Sequence, residues 1–66
     1  MKIVMVVGKD QFIGWNAECM PVVVSREHAM EFEHAGDICL FIRQNRKKLN
    51  RFLQRNQLHM KIKMES

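Results

Sequence analysis

The sequence predicts a single α+β domain: a small, mainly antiparallel sheet in the order β-β-β-α-α-β, with a long basic amphipathic helix packed on one face. Three observations carry this reading. Apolar, β-branched segments open the chain, a strictly alternating segment closes it, and between them lies a stretch of helical periodicity that begins at Ile38. With 66 residues and no linker or repeat, the chain has room for one domain only.

The elements follow in order. Met1 to Val7 is apolar apart from Lys2, as suits a strand covered on both faces. Gly8, Lys9, Asp10 and Gln11 supply turn chemistry, and Phe12, Ile13 and Trp15 resume apolar character, so residues 1 to 15 read as a hairpin. Gly14 marks a bulge or a close backbone approach. After a loop over residues 16 to 21, Pro21 fixes the start of a short, near-edge strand at Val22, Val23 and Val24.

Ser25 has the chemistry of a helix N-cap and Glu27 places negative charge in the first turn, predicting a helix from Arg26 to about His34. Gly36 then offers a left-handed stop, and Asp37 a cap for the next helix across a tight turn. That second helix runs from Ile38 to about Asn56. Ile38, Phe41, Ile42, Leu49, Phe52 and Leu53 fall in an arc of about 120° and form its packing side. Asn45 sits inside this arc, where either a polar partner satisfies it or the arc is open to something, while Leu40 is an apolar residue on the opposite, basic side. Residues 59 to 65 alternate, with Met60, Ile62 and Met64 on one face and Lys61, Lys63 and Glu65 on the other, as in a half-buried strand. The order of the strands is not fixed by these patterns.

Charge is divided along the chain. Residues 1 to 37 carry three cations and six anions, whereas residues 38 to 66 carry eight cations against Glu65 alone, so a net +4 hides halves of −3 and +7. Arg43, Arg46, Lys47, Lys48, Arg51 and Arg55 form one basic helix face, the part of the chain an acidic partner would meet first. Phe12 and Trp15 are the candidate aromatic anchors of an interface.

Catalytic and metal chemistry find little support. Cys19, His28, His34, Cys39 and His59 match no common zinc spacing. Ser25 and His28 read as a cap and a first-turn residue rather than a nucleophile and its base, and Glu27 and Glu31 as solvated carboxylates. No enzyme activity, metal or cofactor is therefore expected. Two cysteines are too few for a disulfide framework and favour free thiols in a cytoplasmic setting. No apolar run is long enough for a membrane helix, and an interfacial helix would have to expose the apolar arc needed to cover the sheet.

Gly8 to Pro21, with Asp10, Ile13, Gly14, Asn16 and Pro21, resembles the first substrate loop of dihydrofolate reductases. The chain has no room for the cofactor-binding remainder of that family, and no site is carried over. In size and compactness the chain resembles the short accessory and inhibitor proteins of bacteriophages and other mobile elements, which implies a regulatory, partner-binding role.

The leading expectation is thus a non-enzymatic protein-interaction module that meets an acidic protein surface. Nucleic-acid binding by the basic face of residues 43 to 55 is the alternative, weakened by the lack of exposed stacking groups. A helix-turn-helix with its fork at Gly36 is one form of it, although base contact would then fall to the apolar Ile38, Cys39 and Leu40. A structural homo-oligomer, joining acidic and basic halves, is the third.

Overall fold

The computed structural model describes residues Met1 to Ser66. Four strands form one antiparallel sheet: β1 (Lys2–Gly8), β2 (Gln11–Trp15), β3 (Pro21–Val24) and β4 (Lys61–Glu65), in the spatial order β3-β2-β1-β4. Two helices, α1 (Ala35–Gln44) and α2 (Arg46–Arg55), stand between β3 and β4 in the chain. The α+β class and the element order agree with the sequence reading, and the last strand lies beside the first.

Alternation along β1 explains its continuous apolar run. Ile3, Met5 and Val7 face the helices and join Ile13, Ile38 and Leu49 in the buried core. Val4, on the opposite face, is also fully buried, next to the half-buried Val6. That second face is covered by the chain after β3. Arg26 lies over the Phe12 ring, 5.9 Å from its centroid, and the His28 carbonyl closes on Gly14. A Cβ at Gly14 would stand 3.2 Å from that oxygen and 3.0 Å from a Val24 methyl, so a side chain there would push Val24 or the backbone at His28 aside by a few tenths of an ångström, the close backbone approach that glycine permits.

The predicted helix from Arg26 to His34 is not formed. Only Arg26–His28 makes a single 3-10 turn, and the Ser25 side chain makes no capping bond. The backbone bonds of the next residues go elsewhere: Met30 N–H donates to Ile13 O at 3.1 Å, and Phe32 exchanges bonds of 2.7 and 2.9 Å with Ile3. The β1 and β2 strands pair near their turn, at Val6–Phe12 and Gly8–Gln11, and Met30 to Phe32 occupies the fork that opens beyond. Extended pairing thus outcompetes helix in this segment, because it satisfies backbone groups of β1 and β2 that would otherwise be buried unbonded.

The long second helix is also revised. Gly36 is not a stop but lies within the first turn of α1, and the helical ladder breaks at Asn45. The Asn45 amide side chain donates to the Phe41 carbonyl at 2.9 Å, alongside its own backbone N–H at 3.0 Å. A short side-chain amide that competes for a helical carbonyl bends or ends a helix. Asn56 repeats the arrangement on Phe52 at the end of α2. The apolar arc survives the break, with Ile38 and Leu49 buried and Phe41, Ile42, Phe52 and Leu53 half-buried against the core.

Past Asn56, α2 closes with a Schellman turn. Leu58 N–H donates to Leu53 O at 2.9 Å and Gln57 N–H to Gln54 O at 3.2 Å, with Gln57 in the left-handed region at φ 55°. A non-glycine residue there carries a steric cost of about 1–2 kcal/mol. Gln57→Gly is therefore expected to stabilise the fold by about 0.5–1 kcal/mol, after the added chain entropy is subtracted. Thermal unfolding checks it as a rise in midpoint.

Candidate docking site

The six predicted cations are all exposed, and they lie on the end of α1 and along α2. None is paired with an acid. The salt bridges of the chain involve Lys2, Arg26, His28 and Lys63 only, and Glu31, one of the carboxylates nearest in sequence, is taken by Arg26 at 2.8 Å and Lys2 at 3.5 Å. The basic face is thus uncompensated within the molecule, a state that raises the local potential toward anions.

Lys47, Lys48, Arg51 and Arg55 line one side of a groove of about 340 Å³ between α2 and β3. The rest of its lining is Met20, Pro21 and the half-buried Phe52, which supply an apolar floor, together with Asn56. Met20 and Pro21 are held in place by Asn16. The Asn16 carboxamide oxygen accepts from the N–H groups of Glu18 and Met20, each at 3.0 Å, and Asn16 N–H donates to Met20 O at 2.9 Å. This loop, with Cys19 at φ 61°, is fastened to α2 by Lys48, whose ammonium donates to Cys19 O at 2.9 Å. A second cleft follows the bend at Asn45, lined by Arg43, Arg46, Lys47 and Lys48 with no apolar side chain.

The two aromatic candidates part company. Trp15 is half-buried, edge-on to Phe41 with centroids 4.9 Å apart, and Lys48 Nζ lies 6.0 Å from its ring centre. It borders the groove through Pro21, its cross-strand partner. Phe12 is 7% exposed and lies under Arg26 on the other face of the sheet, so it is not part of this surface. The sequence reading names both as aromatic anchors of one interface; parity along β2 places them on opposite faces of the sheet. Met20, which that reading left out, is 44% exposed beside the cations. Leu40 is 49% exposed on α1, as its place outside the apolar arc requires.

On the other face of the sheet, Arg26, Glu31 and Glu65 form a cluster of ion pairs. Arg26 binds Glu65 through Nε at 2.9 and 3.1 Å and through a further guanidinium nitrogen, and reaches Glu31 as well. Hydrogen bonding to Arg26 is the main reason that the Glu31 and Glu65 carboxyls are held below the usual carboxylate range, and the same bonds push the Arg26 guanidinium up. A depressed carboxylate pKa adds stability that is fully present above its unfolded value of about 4.3 and is lost as pH falls through the folded values. Acid unfolding of the Arg26→Ala protein is expected to show a weaker dependence on pH below that point, measured by circular dichroism from neutral pH downward.

Cys19, His28, His34, Cys39 and His59 are not gathered at one place. No group of three or more His, Cys, Asp or Glu side chains is placed to hold a metal ion. Cys19 and Cys39 are both exposed and unpaired. The helix-turn-helix reading loses its premise, since the segment before Gly36 is not a helix and the junction between helices is the bend at Asn45. No helix is long and apolar enough to cross a membrane. No protein family, curated protein or solved structure matches the chain.

Proposed function

We propose that the protein is a non-enzymatic interaction module that docks an acidic segment of a partner protein into the groove between α2 and β3, as a regulator or inhibitor would. The observation that carries this reading is the composition of the groove. Four cations without internal acidic partners border an apolar floor of Met20, Pro21 and Phe52. An acidic peptide with one apolar side chain satisfies both halves: carboxylates meet Lys and Arg at the rim, and the apolar group leaves water on the floor. A phosphate backbone would use the cations and leave the floor bare. The low cysteine count supports a cytoplasmic setting.

Nucleic-acid binding is the second reading, favoured by the wholly polar cleft at the bend, where the first amides of α2 stand beside Arg43, Arg46 and Lys47. Trp15, the sole tryptophan, reports on both. Titration of its fluorescence with a Glu- and Asp-rich peptide containing one Leu is expected to saturate, to weaken with salt and to weaken again when that Leu is Ala. Tighter binding of a mixed-sequence oligonucleotide, insensitive to an apolar group, would transfer the function to nucleic acid. Silence toward both would refute the groove as a docking site.

A further inference from the structure

The edge strand β4 leaves its outer side open, and the direction of its free backbone groups follows from the neighbouring bonds. Ile3 uses its N–H and C=O on Phe32, on the side of β1 away from β4. The Ile3–Met64 pair is therefore of the kind that exchanges no hydrogen bonds, and by alternation so is Met5–Ile62. Met64 and Ile62 accordingly aim their own N–H and C=O groups outward. Their side chains stand on the helix-facing side of the sheet, where neither helix covers them, and are 65% and 47% exposed.

We propose that β4 pairs antiparallel with β4 of a second copy of this chain, about a two-fold axis at Lys63, joining two four-stranded sheets into one. The mixed charge along β4 suits a second copy as the occupant, and the extent of the strand selects the register. With Lys63 on the axis, Ile62 faces Met64 of the other copy, the outward N–H and C=O groups meet in exchanged bonds, and the apolar side chains cover one another. On the opposite face Lys61, which has no acidic partner of its own, comes opposite Glu65, already fixed in position by Arg26. A shift by two residues in one direction sets Lys61 against Lys63; in the other it sets Lys63 against Glu65 but leaves Lys61 unpaired and Ile62 against Ser66, beyond the strand. Only the central register uses the whole strand. Its one repulsive contact is Lys63 against Lys63, which keeps the dimer weak and guards the edge against open-ended pairing.

The pairing involves neither α2 nor the groove, so it stands apart from the docking function. Sedimentation equilibrium from low micromolar to millimolar concentration tests it. The wild-type chain is expected to show a monomer–dimer equilibrium. Met64→Pro removes an outward N–H without touching the β1–β4 ladder and is expected to weaken the dimer about tenfold or more. Lys61→Glu, at an exposed side chain with no internal partner, is expected to weaken it as well, and Lys63→Thr to tighten it. Circular dichroism confirms that each variant is folded. A chain that stays monomeric at millimolar concentration overturns the proposal. So does a dimer that Met64→Pro or Lys61→Glu leaves unchanged, which would place the association on another surface, such as acidic against basic halves.

Discussion

Replacing Lys47, Arg51 and Arg55 together by Glu is expected to weaken binding of the acidic, Leu-containing peptide by about a hundredfold or more. Each reversal removes an attraction and adds a repulsion at the same rim. A loss of about 1 kcal/mol at each of three positions already multiplies to that factor. The fold should remain, because the three side chains are exposed and none takes part in an ion pair or a side-chain hydrogen bond. The cost to α2 is confined to unfavourable charge near its C-terminal end, a few tenths of a kcal/mol per residue. Peptide titration paired with a thermal melt separates the two effects. Retained affinity in a folded triple variant would remove the basic face from the site.

Leu49→Ala is expected to leave the chain largely unfolded at room temperature. Leu49 is 2% exposed and packs in the one core cluster, which holds six buried residues. Truncation of such a leucine costs about 2–5 kcal/mol through lost transfer energy and the cavity left behind. A domain of this size rarely has more than about 3–5 kcal/mol in hand. Leu40→Ala, on the exposed side of α1, is the matched control and should change stability by less than about 0.5 kcal/mol. Urea unfolding followed by circular dichroism compares them directly. Equal effects at the two positions would mean that the helices do not cover the sheet as described.

Much of this architecture is legible in the residues. The apolar run at Met1 to Val7 reflects a strand that tertiary contacts cover on both faces, and the arc from Ile38 to Leu53 survives even a break in the helix. Alternation at Met60 to Glu65 marks the strand but not its burial, because no helix reaches over β4 and Ile62 and Met64 stay 47% and 65% exposed. What escaped the sequence reading depended on distant partners. Arg26 to His34 has the cap chemistry of a helix, but Ile3 and Ile13 offer Phe32 and Met30 extended pairing that local propensity does not reveal. Asn45 was visible as a polar residue in an apolar arc; that its amide would turn back on Phe41 and split the helix is a local competition with two outcomes.

The site divides in the same way. The cations were legible as a block because they crowd residues 43 to 55, although the break at Asn45 leaves Arg43 on α1 and the other five on α2. That they remain unpaired was not, since it depends on Arg26 and Lys2 drawing Glu31 to the opposite side of the sheet. The apolar floor was also hidden: Met20 and Pro21 lie far from α2 in sequence and reach it through a loop that Asn16 and Lys48 hold in place.

The most direct measurement is a map of backbone amide chemical-shift changes on adding the acidic, Leu-containing peptide to the isotope-labelled chain. Docking in the groove requires the largest changes at Met20, Lys47, Lys48, Arg51 and Phe52, with β4 and the Arg26 turn little affected. Changes concentrated on β4 or around Arg26, with α2 silent, would contradict a docking face built from these unpaired cations.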